Sequence, residues 1–445
     1  MSEERSYFVA VVGGGPAGLF AAAELASRGV RAVIFNRDVK PGGLAEYGIY
    51  PDDHNLKAGF RNQFRQTLAR ENVTYFGNVT IGAHGDLTLD DLRKLGFHAL
   101  LVTAGAQGMK SLGLPGEKLK GVYHAKDIVY YYNKLPPFSQ MKFEFGKRCA
   151  VIGAGNVMTD IARFLIREVK VEEVIAVVRR GPCEVNFTAD AMRHVIAHLD
   201  LAGFEAELRR VLPAMQAVNE RSDAGRQKVL EALPKADPKF SETRFSLLFL
   251  ASPSQIIGRT GHVAKLELIT NTLEIREGYV TARATPGRQV LAVDSVILAI
   301  GDTVDDSLGL PTRSVAFYRN PAPQFPVDGQ SYELFDLEDN SPIEDTFVGG
   351  WARRPSEGLV EGARRDGTNA SKAVWQYLQT LQPSMPILDQ VTGRLKALGK
   401  PVVTAREIAK LEAIESAEAQ KRGLKEFKFA TNEEMFQAIG LAETA

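Results

Sequence analysis

The chain has 445 residues, 54 basic side chains against 54 acidic ones, and 44% hydrophobic residues. That length supports two or three domains with sizeable cores. The balanced charge offers no footprint for nucleic acid or an anionic membrane surface, and no apolar run approaches the roughly 20 residues that span a bilayer.

Phe8–Val12 reads as a buried strand and Pro16–Ser27 as an Ala/Leu-rich helix of period near 3.6. A strand so close to Met1 leaves no room for a signal or transit peptide. Between strand and helix stands GGGPAG, Gly13–Gly18. Gly13, Gly15 and Gly18, with Pro16 and Ala17 between them, have the spacing of a turn that holds a dinucleotide pyrophosphate on backbone amides and a helix N-terminus. Arg31–Phe35 is the next strand, and Asn36 stands where an acid usually binds the ribose. Asn donates and accepts, so it is expected to meet the ribose hydroxyls.

Pro41–Pro51 is a glycine-containing loop, Asn55–Glu71 a predicted helix, and Val73–Val79 and Ala99–Thr103 predicted strands. Leu112–Glu117 and Pro136-Pro137 mark the passage into a second domain. That domain repeats the opening pattern: strand Cys149–Ile152, turn GAGNVM (Gly153–Met158), helix Asn156–Glu168 and strand Val174–Val178. Gly153 and Gly155 match the first turn, whereas Met158 occupies the third glycine position and implies looser helix–strand packing. Arg179-Arg180 ends the following strand, and guanidinium forks pair bidentately with phosphate. The second nucleotide is therefore predicted to be NADP(H) rather than NAD(H).

Further on, residues 190–239 read as charged, solvent-facing helices, with strands at Phe245–Leu250, Val263–Thr270, Val290–Val293 and Ser295–Ile300. Thr346–Val348 enters the motif GGWARRPSEGLVEGARRDG (Gly349–Gly367), and a helix runs to about Leu378. The two cysteines, Cys149 and Cys183, form no CxxC, which suggests a reducing, cytoplasmic setting. No metal-ligand cluster, nucleophile or acid–base dyad is evident, as suits hydride and electron transfer that needs mainly positioning.

Two pyridine nucleotides would have nothing to exchange, so the first turn is expected to hold FAD. PGGLAEYGIYPDDHNLK (Pro41–Lys57), GAGNVMTDIARFL (Gly153–Leu165), RRGPCEVNFT (Arg179–Thr188), GWARRPSEGLV (Gly350–Val360) and the tail Val402–Gly440 together resemble the adrenodoxin reductase family of ferredoxin–NADP⁺ reductases. That resemblance implies an α/β protein of two Rossmann-like domains. An FAD domain (1–111 and 326–380) would be split by an NADP domain (112–325), with a helical extension at 381–445. It implies that Gly13, Gly15, Pro16, Ala17, Gly18, Asn36, Gly43, Leu44, Val79, Gly105, Gly350, Trp351, Gly358, Leu359 and Val360 line FAD. Gly153, Gly155, Asn156, Val157, Arg179 and Arg180 would hold NADP(H), and Trp351 would lie beside the flavin where the nicotinamide stacks. It also implies a ferredoxin-type iron–sulfur partner receiving single electrons.

Departures from the family are local. The family's Pro-Asp-His reads Pro51-Asp52-Asp53 here, with His54 one step later, and its Glu after Phe-Thr falls on Ala191 beside Asp190. Asp53 and His54 are the candidates to assist near the nicotinamide. Glu46 replaces a basic residue and Glu357 a Thr, and carboxylates beside a flavin are expected to lower its potential. Arg193, Arg209, Arg210, Arg221 and Arg226 are the candidate basic face for an acidic ferredoxin. Two rival readings are the small subunit of a glutamate synthase-like complex and a non-catalytic NADPH sensor. The first usually carries an N-terminal cysteine-rich segment, and no cysteine precedes Cys149 here; turnover separates the second. A monooxygenase would need an organic-substrate pocket, which the sequence neither shows nor excludes.

Overall fold

The computed structural model describes residues 5–356 and 358–441. It divides into two compact units: Met1–Met109 with Tyr130–Gln140 and Gly301–Ala445, and Lys110–Val129 with Met141–Ile300. Residues 301–325, expected in the insert, belong to the first unit, where Asp302–Thr303 pairs with Gly108–Met109. Tyr130–Gln140 joins it as well, because Tyr130 and Leu135 pack into an apolar cluster with Tyr47.

The first unit opens with β1 (Phe8–Val12), α1 (Pro16–Ser27) and β2 (Arg31–Asn36), then β3 (Val73–Gly77) and β4 (Ala99–Val102). Its sheet runs Glu333–Asp336, Ser341–Val348, β4, β1, β2, β3, parallel except at the pair Glu333–Asp336/Ser341–Val348. Every residue of β1 is buried, which explains the unbroken apolar run: a parallel strand covered on both faces has no polar side to alternate with. Because β2 lies on one side of β1 and β4 on the other, the strand order reverses at the C-terminal end of β1. Ligands of open α/β sheets bind at such a reversal.

The second unit repeats that plan. β5 (Arg148–Ile152), α2 (Asn156–Phe164) and β6 (Glu173–Val177) follow one another, and the parallel sheet runs Val122–His124, Ser295–Leu298, β5, β6, Arg244–Leu248. A second, antiparallel sheet of Ala251–Arg259, His262–Arg276 and Tyr279–Ala292 is longer than the strand signals suggest. Its outer strand is largely exposed, with Tyr279 at 76%. A strand wetted on both faces leaves no period-two apolar trace.

The remainder of the first unit is α3 (Val360–Leu378), the helix Leu388–Lys396, α4 (Ala405–Lys421) and the helix Asn432–Ile439. Thr404 and Thr431 cap the last helix pair through reciprocal bonds with Glu407 and Glu434. Ile408, Leu411, Met435 and Phe436 enter the same core as Val9 and Leu25. The helical tail is thus part of the first unit's core. Among the described residues no helix is long and apolar enough to cross a membrane.

Candidate functional site

The first glycine turn is shaped by backbone that leaves no room for a side chain. Gly13 has φ +112°, and a Cβ there would lie 2.6 Å from the Thr103 carbonyl oxygen after β4; at Gly18 it would lie 2.1 Å from the Gly13 oxygen. Pro16 occupies the first position of α1, behind Gly15. The amides that open α1 have no intrahelical acceptor, so the turn presents donors and the positive helix end to an anion. The loop after Pro41 closes on this turn: the Gly42 amide donates to the Gly14 oxygen at 2.7 Å. A Cβ on Gly43 would stand 3.1 Å from Gly15 Cα. Gly43 and Leu44 thereby sit beside Gly13–Gly18. Val79 is buried, its amide donating to the Asn36 oxygen at 2.9 Å, while Gly105 has φ +75° beyond β4.

Asn36 has a different role from the expected one. Its Oδ1 accepts the Gly14 amide at 2.9 Å, and its Nδ2 donates to the Asp38 and Lys40 oxygens and to the Tyr75 hydroxyl. The residue is 6% exposed and ties the glycine turn to the loop after β2, with both amide hydrogens already donated. A cleft of about 210 Å³ opens beside it, lined in part by Arg37, Asp38, Asn78 and Thr80.

Glu46 is likewise corrected. It is 3% exposed, accepts Arg61 bidentately at 2.6 Å, and lies 2.8 Å from Lys428 and 3.6 Å from Lys40. Lys40 also pairs with Glu415 at 2.5 Å, Arg61 with Glu426, and Lys57 donates to Asn133 at 2.8 Å. Four cations therefore meet three carboxylates in one buried cluster. Burial alone would raise Glu46, but Lys428, Lys40 and Arg61 outweigh it and hold its carboxyl well below the usual range. Its charge is neutralised where it stands, so the repulsion expected from Glu46 does not arise. Glu357 lies outside the described residues.

Burial, with Lys428 adding repulsion, lowers Lys57 to about 7. The unfolded chain keeps an ordinary Lys, so it binds more protons than the native state between pH 7 and 10.5. Stability from this group therefore rises with pH across that window and is lowest below it. Lys57→Met should raise the melting temperature at pH 6 and lose roughly 2 kcal/mol of that advantage by pH 9. Thermal denaturation at both values checks it; a constant difference would sink the assignment.

In the second unit Gly153 reproduces Gly13: φ +148°, with a Cβ 2.4 Å from the Ala299 oxygen beyond the neighbouring strand. Gly155 faces open space. Met158 is fully buried, so the bulky third position is absorbed by the core. Asn156 Oδ1 accepts the Thr188 amide at 2.8 Å, and the Asn186 and Phe187 amides donate to the Ala154 oxygen. The segment after the arginine pair thus folds back on the glycine turn, beside exposed Val157. Asn271 holds the Arg179 carbonyl, and the Leu250 amide holds that of Arg180. Arg179 is exposed and Arg180 half-buried, and among the described residues neither guanidinium has a carboxylate partner.

Trp351 is half-buried in the turn Gly350–Ala352. Gly350 has φ +67°, Gly358 +74°, and Leu359, 65% exposed, precedes Val360 at the start of α3. Asp53 and His54 open the helix His54–Leu68, where His54 Nδ1 lies 3.9 Å from Glu426. The candidate basic face does not form as a cationic surface. Arg193 pairs with Asp190 and Asp237, Arg210 with Glu207, Arg221 with Asp223 and Arg226 with Glu205, so among the described residues Arg209 alone of the five has no carboxylate partner. Charges paired within their own surface do little long-range steering.

Residues 7–229 match the family model of the pyridine nucleotide-disulphide oxidoreductases. The chain is 30% identical to the mitochondrial NADPH:adrenodoxin oxidoreductase of Arabidopsis thaliana over 81% of its own length and 80% of that protein. It is 28% identical to the NADPH-ferredoxin reductase FprA of Mycobacterium tuberculosis over 98% of this chain and 100% of that one. The structure of FprA in complex with NADPH superposes with a TM-score of 0.81 at 25% identity, covering 98% and 99% of the two chains. With two glycine turns at two strand-order reversals and a GW motif before the helix Val360–Leu378, the chain belongs to the pyridine nucleotide-disulphide oxidoreductase family, in its adrenodoxin reductase branch.

Proposed function

We propose that the chain is an FAD-dependent reductase that draws electrons from NADPH and passes them to a ferredoxin-type iron–sulfur protein. The observation that carries it is the pair of glycine turns, Gly13–Gly18 and Gly153–Met158, of which the second is followed by two guanidinium groups, Arg179 and Arg180, that have no carboxylate partner among the described residues.

The residues present fit both nucleotides. Gly13, Gly15, Ala17 and Gly18 would take the FAD pyrophosphate, Gly43 and Leu44 would border it, and Gly350 with Val360 would offer further backbone. Gly153, Gly155, Asn156 and Val157 would take the NADP(H) pyrophosphate, while Arg179 and Arg180 grip the 2′-phosphate. A bound flavin supplies the conversion from one hydride received to two electrons released singly. The protein's share is to bind, orient and keep water from the reacting atoms. The two free thiols, Cys149 buried, fit a reducing cytoplasm, which cell fractionation would check.

Anaerobic titration should bleach the flavin with NADPH at far lower concentration than with NADH, and a ferredoxin should restore the oxidised spectrum. Equal affinity for NADH would overturn the nucleotide assignment. Bleaching that no iron–sulfur protein reverses would favour the sensor reading instead.

A further inference from the structure

The turn that carries Trp351 is clamped by two charged side chains. Asp366, in the second turn of α3, accepts the Gly350 amide on Oδ2 at 2.7 Å. Both its oxygens accept Arg353 Nε at 3.0 Å, and Oδ1 also accepts Arg353 Nη2. Arg353 is 2% exposed, with its guanidinium 4.3 Å above the Tyr332 ring. Its Nη1 is buried with no hydrogen-bond partner among the described residues. Gly349 and Gly350, left alone, would be the freest backbone in this region. Here the Gly350 amide is held by a carboxylate that is itself held by a buried cation.

The clamp also sets where the turn lies. A Cβ on Gly350 would stand 2.6 Å from Ala17 Cβ, and one on Gly367, the residue after Asp366, 2.2 Å from the Ala17 oxygen. The turn and α3 therefore both press on the first turn of α1, where the FAD pyrophosphate is read. We propose that Asp366 and Arg353 are positioning residues for hydride transfer: they fix the Gly350–Ala352 turn, and with it the indole of Trp351, in the register that the flavin requires. This rests on the reductase reading above. Neither residue is required to touch the reacting atoms.

The chain has two tryptophans, so Trp375→Phe leaves Trp351 as the sole indole, and its emission reports distance to a quenching flavin. In that background Asp366→Asn keeps an acceptor for the Gly350 amide but removes the charge that holds Arg353. We expect Trp351 emission to rise about twofold at unchanged FAD content, and flavin reduction by NADPH to slow by about tenfold, since displacements near 1 Å cost up to 10²-fold. Arg353→Lys should fall between wild type and Asp366→Asn, and the affinity for NADP⁺ should stay at the wild-type value in both. Should Asp366→Asn lose its FAD, acrylamide quenching of the two apoproteins reads the same turn, with greater access to Trp351 expected in the variant. Emission, quenching and reduction rate all at wild-type values would overturn the clamp. A parent protein that NADPH does not reduce would overturn the reductase reading instead.

Discussion

Arg179→Ala combined with Arg180→Ala should erase the preference for NADPH over NADH. A charge-assisted hydrogen bond contributes roughly 1.5–3 kcal/mol. Loss of two phosphate-gripping guanidiniums is thus expected to lower kcat/KM for NADPH by about 10²–10⁴-fold. The NADH value should change little, because that nucleotide lacks the 2′-phosphate. The geometry favours a clean result: both carbonyls are anchored by Asn271 and Leu250, while the guanidiniums are free of carboxylates among the described residues. Removing them leaves no buried charge unpaired. Parallel steady-state kinetics with both nucleotides decide the matter, and a double variant that kept its discrimination would falsify the assignment.

Glu46→Gln should be the most damaging single change in the first unit. It leaves Lys40, Arg61, Lys57 and Lys428 with only Glu415 and Glu426 to balance them, and breaking a buried pair from one side costs about 3–5 kcal/mol. At the size of this unit that is a loss of roughly 10 °C in melting temperature. The native carboxyl is depressed below its ordinary value. Its stabilisation is therefore fully present above the unfolded carboxylate range and disappears as pH falls through the native value. Accordingly the gap between wild type and Glu46→Gln should be widest near pH 7 and should close in acid. FAD retention should fall with it, because Glu46 belongs to the short helix that Gly43 opens. A variant that melts with wild type at pH 7 would show that Lys428 and Arg61 find other partners.

Much of this was legible in the sequence because it rests on local requirements. A turn where an added Cβ would stand 2.4–2.6 Å from a neighbouring carbonyl oxygen admits only glycine, so Gly13 and Gly153 announce their conformation in any context. Strands buried on both faces, β1 and β5, are continuous apolar runs for an equally local reason. The arginine pair was legible too, because its place at the end of β6 follows from the βαβ repeat. By contrast, the antiparallel strand Tyr279–Ala292 showed only its last residues, within the predicted Val290–Val293, since its two faces are both wet.

The residues whose roles changed are those whose partners the folded chain selects, some nearby in sequence and some far along it. Asn36 looked like a ribose ligand until Gly14, Lys40 and Tyr75 were seen to occupy its amide. Glu46 looked like a negative charge beside a flavin until Lys428, from the far end of the chain, was found 2.8 Å away. The arginines of the expected acceptor face looked cationic until each neighbouring carboxylate took its place. Sequence by itself determined the two nucleotide turns, the arginine pair and the fold class, because backbone sterics and burial act within a few residues. Only the tertiary structure decided which charges are neutralised and which amides are already bonded, because Coulombic and hydrogen-bond partners are chosen by proximity in space.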